Sequence, residues 1–186
     1  MFPEFLIQSA AEVKTALMLR DQKLVLAESC TGGLVATLLT SLPGISDCFC
    51  GSAVVYRWDT KMKWLGVQAE TLEKYTDVSR ETAREMALGV LRQTPEASLS
   101  AAITGHLGPN APESQDGLVC IAVGRRAHTD LSVPPELVSV EALQSDALRE
   151  AGPVNADPTT GLSLRQERQL AVADQMLKLI AKALED

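Results

Sequence analysis

At 186 residues, with 46% of them hydrophobic, the chain suits one compact domain with a substantial core. A formal net charge of −7 and the lack of any dense Lys/Arg run exclude a nucleic-acid-coating surface. The few aromatics are not interleaved with basic residues, which excludes a stacking platform for single strands, although a local basic pocket for one small anion remains compatible.

No apolar run is long enough to span a bilayer, and Met1 to Arg20 carries acids where a signal peptide needs a continuous apolar core. A cytoplasmic protein is therefore expected. The four cysteines, Cys30, Cys48, Cys50 and Cys120, lack paired C-x-x-C spacing and read as reduced, partly buried thiols. No carboxylate cluster has metal-ligand spacing, so neither a metal nor a cofactor is implied.

In chain order, Phe5 to Arg20 has apolar residues at helical spacing. Leu24 to Ala27 is a continuous apolar run, as in a strand covered on both faces. It leads through Glu28-Ser29-Cys30-Thr31-Gly32-Gly33 into a helix, Leu34 to Leu42, stopped by Pro43-Gly44. Ile45 to Phe49 reads as a loop and Gly51 to Tyr56 as a second buried strand. Arg57 to Lys61 is polar apart from Trp58, and Met62 to Val67 and Ala69 to Tyr75 read as short helices. Ser79 is an N-cap for a helix whose buried stripe is Ala83, Met86, Ala87, Val90 and Leu91.

Leu99 to Ile103 is a third strand, His106 to Gly117 a loop, and Leu118 to Val123 a fourth strand. That loop is too short for a crossover helix, so the third and fourth strands are expected to pair antiparallel. Leu137 to Val140 suggests a fifth strand, residues 144–161 a surface excursion, and Leu164 to Leu184 a closing helix. The alternation predicts a single α/β domain over residues 1–186: a three-layer α/β/α sandwich with a mixed, mostly parallel central sheet.

Three features fall at strand ends, where open α/β sheets gather their sites: Ser29, the pair Tyr56 and Lys61, and Thr104-Gly105. A serine at a strand-to-helix turn lies beside free N–H groups that can stabilise an oxyanion, but Ser29 or Thr31 can equally cap the helix. Ser29 needs a base, which a neutral Lys61 or a relaying Tyr56 would provide; each also reads as ordinary, Lys61 as a solvated lysine and Tyr56 as a core aromatic. No Ser-His-Asp triad is evident, with His106 and His128 the only histidines. Alternation points Glu28 away from Ser29, toward an ion pair or a cap contact. Thr104-Gly105-His106-Leu107-Gly108-Pro109 matches neither a Walker A nor a GxGxxG pattern.

Taken in order, these segments resemble the CinA C-terminal domain, the nicotinamide mononucleotide deamidase (PncC) family. The resemblance is carried by Leu26 to Gly33 (L-A-E-S-C-T-G-G), Leu42-Pro43-Gly44, Val55-Tyr56 with Lys61, Leu65-Gly66-Val67 and Val78 to Ala83. It continues through Met86-Ala87, Ala102 to Gly105, Gly108-Pro109 and Gly117 to Val123. The resemblance implies hydrolysis of nicotinamide mononucleotide to nicotinate mononucleotide and ammonia. Ser29 would be the nucleophile, Tyr56 and Lys61 would activate it, and the turn Cys30, Thr31, Gly32 and Gly33 would supply the oxyanion hole. Thr104 and Gly105 would help bind the nucleotide.

The chain departs from the family pattern at His106-Leu107 and in the loop to Asp116, where a bulky Leu and two acids would narrow the pocket or repel a phosphate. The alternative is a catalytically silent nucleotide- or partner-binding module of the same fold. The expected partner is a small pyridine nucleotide, with no nucleic acid or membrane, in a homo-oligomer. The N-terminal domain often fused to this one is not in the sequence, so a standalone domain is expected.

Overall fold

The structure, a computed structural model, describes residues 2–126, 131–148 and 160–185. Its centre is β1 (Leu24–Glu28), every residue of which is buried. Alternation along β1 sorts its side chains into two cores. Leu24 and Leu26 join the cluster beneath α1 (Glu4–Leu19), α2 (Leu34–Thr40) and α6 (Leu164–Glu185). Val25 and Ala27 join the cluster beneath α3 (Trp58–Leu65), α4 (Ala69–Tyr75) and α5 (Arg80–Gln93). In β3 (Leu99–Gly105), Leu99, Ala101 and Ile103 face the first core and Ala102 the second. In β4 (Leu118–Arg125), Val119, Ile121 and Val123 likewise oppose Cys120 and Ala122. Strands apolar on both faces need a helical layer on each, which is why the chain forms a three-layer α/β/α sandwich.

The sheet order is β2-β1-β3-β4-β5, with β2 at Phe49–Val54 and β5 at Glu136–Gln144. β1 is parallel to both β2 and β3, while β3–β4 and β4–β5 are antiparallel. Four strands therefore share one direction and β4 alone opposes them, so the sheet is mixed and mostly parallel. The chain leaves β1 through α2 to reach β2, then returns past β1 through α3, α4 and α5 to reach β3. Crossovers in opposite directions put their helices on opposite faces of the sheet. The carboxyl ends of β1 and β3 are left side by side at the switch point where such sheets bind ligands.

Several boundaries differ from the sequence reading. β2 begins at Phe49 and ends at Val54, so Tyr56 lies beyond it, and its residues are only half-buried because β2 is an edge strand. The loop expected over Ile45 to Phe49 holds a 3-10 turn at Ile45–Asp47. The polar stretch Arg57 to Lys61 is mostly the first turn of α3, which starts at Trp58. β5 is nine residues long, well beyond the four expected. Most of the excursion at 144–161 lies outside the described residues, but its start, Ser145–Leu148, is a packed 3-10 turn with Ser145 fully buried.

Helix α5 fixes α3, the helix that carries Lys61. A Cβ on Gly89 of α5 would sit 2.0 Å from the carbonyl oxygen of Leu65, so only glycine permits this approach. Ser79 caps α5 as expected, accepting the N–H of Thr82 at 3.1 Å.

Candidate active site

Ser29 follows β1 directly, and its N–H continues the ladder to the Ile103 carbonyl at 3.0 Å. By strand parity it extends the Val25–Ala27 face, the side on which α3 packs. There Lys61 Nζ lies 2.9 Å from Ser29 Oγ and 3.3 Å from the carbonyl of Val55. Lys61 is 0% exposed and Ser29 6%, which rules out the solvated-lysine reading. Lys61 makes no ion pair among the described residues. Burial lowers its pKa, a shift that the charge of Asp77, and less so Cys30, opposes. Burial thus favours the neutral amine below the range of a free lysine, with Asp77 offsetting part of the shift. The same 2.9 Å contact then lets the serine hydroxyl donate to the amine.

Ser29 does not cap α2; Glu28 does. Its side chain follows the parity of Leu24 and Leu26 to the opposite face, as alternation predicts, and is fully buried at the start of α2. The carboxylate accepts the N–H groups of Gly33 and Val35 at 3.1 Å and of Ala36 at 2.9 Å. It also accepts the hydroxyls of Thr31 at 2.8 Å and Ser52 at 3.1 Å. These contacts limit what the turn offers a ligand. The N–H of Gly32 goes to the Ser29 carbonyl and that of Leu34 to the Thr31 carbonyl. Among the described residues, only the Cys30 and Thr31 N–H groups of this turn have no backbone or carboxylate acceptor. Gly32 and Gly33 have φ of +63° and +96°, a left-handed pair that turns the chain out of β1.

A cavity of about 210 Å³ opens beside Ser29, bordered by Cys30, Tyr56, Asp77, Gly105, His106 and Arg165, with residues 107–111 as its outer wall. A second cavity of about 720 Å³ adjoins it across the shared Leu107–Ala111 segment and Arg165. The larger lies farther from Ser29 and is mainly apolar; the chemistry belongs to the smaller one. Cys30 is buried, which pushes its thiol up to about 12, so it is neutral and a poor nucleophile. Gly105 is a tight fit: a Cβ there would lie 2.8 Å from Val119 and 3.1 Å from Cys30 Sγ.

Thr104 is fully buried and does not face the cavity; its hydroxyl donates to the Asp77 carbonyl at 2.6 Å. Tyr56 sits on the rim, 59% exposed rather than in the core. Its hydroxyl accepts from Arg165 at 3.1 Å, and no hydrogen bond joins it to Ser29 or Lys61 among the described residues. Arg165 also donates to the Gly108 carbonyl at 2.6 Å. Arg165 was not anticipated from the sequence; the only local signal is a pair of arginines, Arg165 and Arg168, near the start of the closing helix. Gln169, one turn on, donates to the Cys30 carbonyl at 2.9 Å.

Of the residues expected to obstruct the site, Leu107 borders both cavities and Asp116 the larger one. Leu107 is 1% exposed and belongs to the core beneath the loop. Asp116 is paired with Arg168 at 2.8 Å, and the same guanidinium holds Asp146 at 2.6 Å. His128 lies outside the described residues. Among those described, no three His, Cys, Asp or Glu side chains gather as a metal site requires, and no helix is long and apolar enough to cross a membrane. All four cysteines are free.

An α/β/α domain with a buried Ser–Lys pair at the switch point of its sheet defines the class. The family follows from comparison: the CinA C-terminal domain matches residues 7–139, and the chain belongs to that family. A CinA-like protein of Desulforapulum autotrophicum is 45% identical over 114 residues, 60% of this chain and 27% of that protein. A putative competence-damage inducible protein of Acetivibrio thermocellus is 44% identical over 124 residues, 64% of this chain and 30% of that one. The chain thus spans under a third of the length of these curated relatives. Among solved structures, the competence/damage inducible protein CihA from Agrobacterium tumefaciens superposes with a TM-score of 0.80 at 29% identity, covering 100% of this chain and 99% of its own.

Proposed function

We propose that the chain is a serine amidohydrolase acting on the carboxamide of a pyridine nucleotide, with nicotinamide mononucleotide as substrate and nicotinate mononucleotide and ammonia as products. The observation that supports this most is the 2.9 Å contact between Ser29 Oγ and a buried Lys61 Nζ that forms no ion pair among the described residues. A serine hydroxyl is a weak nucleophile without a base, and a desolvated lysine is one of the few side chains able to act as that base without histidine.

Neutral Lys61 takes the Ser29 proton as Oγ attacks the carboxamide carbon. The N–H groups of Cys30 and Thr31 are the donors left for the oxyanion, since Glu28 and the turn itself engage the next ones. Lys61 then returns its proton to the leaving nitrogen, ammonia departs, and water activated by the same amine hydrolyses the acyl-enzyme. A cavity of about 210 Å³ suits the pyridine carboxamide, and the adjoining one of about 720 Å³ leaves room for ribose phosphate. Arg165 borders both and is the cation available to the phosphate, with Tyr56 fixed beside it on the rim.

The test is ammonia release from nicotinamide mononucleotide by the wild type, Ser29→Ala and Lys61→Ala. Turnover by the wild type with a loss of 10³-fold or more in each variant is expected, on the scale of losing a nucleophile or its base. Wild-type release no higher than the Ser29→Ala background sinks the reading. The departure from the family pattern in the His106-to-Asp116 loop, which borders both cavities, favours one second reading, a module that binds a pyridine nucleotide without turning it over; binding in calorimetry with no ammonia would establish it.

A further inference from the structure

Asp77 lies on the wall of the Ser29 cavity, and its presentation there is conformationally costly. The residue before it, Thr76, has φ 68° and ψ 176°. That region is nearly restricted to glycine, and a β-branched residue in it is a genuine outlier. Hydrogen bonds on every side hold it. Thr76 N–H donates to the Leu72 carbonyl at 3.0 Å, and its own carbonyl accepts the Thr82 hydroxyl at 2.7 Å. The Asp77 carbonyl is pinned to β3 by Thr104 at 2.6 Å. The strained turn therefore fixes where the Asp77 side chain emerges.

Asp77 has no structural task to explain this. It precedes α5, where an acid favours the helix dipole, yet Ser79 already supplies the cap. The Asp77 carboxylate forms no hydrogen bond or ion pair with any described residue, although it is half-buried. Two oppositely charged side chains thus border the cavity, Arg165 and Asp77. A matching ligand carries a negative group toward Arg165 and a positive one toward Asp77.

We propose that Asp77 is a specificity-determining residue, which selects a positively charged pyridinium ring over a neutral one in the Ser29 cavity. This rests on the carboxamide-hydrolase reading above and assigns to Asp77 the recognition of that substrate's cationic ring. Asp77 and Ser29 border the same cavity, where the reacting amide must sit.

The experiment titrates the ring-N-methylated nicotinamide cation and neutral nicotinamide into wild type, Asp77→Asn and Asp77→Glu by ligand-observed NMR. A wild-type preference for the cation of about tenfold, the size of one charge–charge attraction partly screened by water, is expected. The preference should vanish in Asp77→Asn and persist in Asp77→Glu, with thermal unfolding confirming that all three are folded. An unchanged preference in Asp77→Asn, no preference in the wild type, or binding of neither probe overturns the proposal. Ammonia release from nicotinamide mononucleotide by the wild type is followed in parallel. An Asp77-dependent preference without ammonia refutes the hydrolase reading alone, and ammonia without the preference refutes the role of Asp77 alone.

Discussion

Lys61, fully buried and without an ion pair among the described residues, is costly to keep charged. Desolvation puts its folded-state pKa below the unfolded value of 10.5, so between those two values the unfolded chain binds more protons than the folded one. Stability therefore rises with pH across that window, and at neutral pH Lys61 detracts from it. Lys61→Met keeps the length and apolar stem without the charge. It is expected to raise Tm, by about 2–4 °C for each kcal/mol relieved, while abolishing ammonia release. A lower Tm by calorimetry would mean that the contacts to Ser29 and Val55 outweigh the burial of the amine. In the wild type, kcat/KM should climb with pH through the lowered pKa of Lys61, which burial pushes down and the charge of Asp77 pushes up. Asp77→Asn removes the charge that favours the ammonium, so its acidic limb should move to lower pH. A limb that stays in place would assign the titration to another group.

Helix α2 is seven residues long, and its amino end is satisfied almost entirely by one side chain. Glu28 receives three backbone N–H groups and two hydroxyls; in its absence the donors of Thr31 and Val35 would be buried, and those of Gly33, Ala36 and Ser52 half-buried, without this partner. Glu28→Gln keeps the shape but sets an NH2 against those donors. We expect a loss of about 3 kcal/mol, a fall in Tm on the order of 10 °C, measured by thermal unfolding. Because Glu28 and Ser29 are consecutive, activity should fall with it: the turn that aims the hydroxyl is the turn the carboxylate holds. Full activity in a destabilised Glu28→Gln protein would uncouple the two.

Across the whole molecule, the site is assembled from both ends of the chain. β1 supplies Ser29, α3 supplies Lys61, the turn before α5 supplies Asp77, and α6 returns to place Arg165 and Gln169 over them. Arg168 ties this arrangement together. It is 2% exposed and bridges Asp116 in the loop after β3 to Asp146 in the turn after β5. Arg168→Ala leaves both acids without this partner and frees the loop that walls the cavity. A loss of about 3 kcal/mol is expected, at the low end for a buried pair because Asp116 is partly open to water. Alongside it, KM should rise more than kcat falls, since the loop walls the cavities and does not carry the base. Arg168→Lys should recover only part of either effect, as an ammonium cannot bridge two carboxylates in bidentate fashion. A variant with wild-type stability and KM would show the bridge to be dispensable.

What the sequence by itself determined follows from short-range physics. Apolar runs and 3.6-residue periodicity marked the strands and helices, the brevity of the 106–117 loop forced β3 and β4 antiparallel, and strand parity separated Glu28 from Ser29. The turn motif at Ser29 was legible for the same reason, since strand, glycine pair and helix are adjacent in the chain. Tertiary structure alone decided the character of Lys61. A polar stretch gives no hint that α5 will press α3 against the sheet and seal that amine beside a serine 32 residues earlier. It also decided that Thr104 braces Asp77 rather than facing the cavity, that Tyr56 is held by Arg165, and that Asp116 is neutralised by Arg168. Each of these is a contact between segments far apart in sequence, and its energy depends on which faces meet. Local pattern fixes what a segment is; only packing fixes what it touches and how far water is excluded from it.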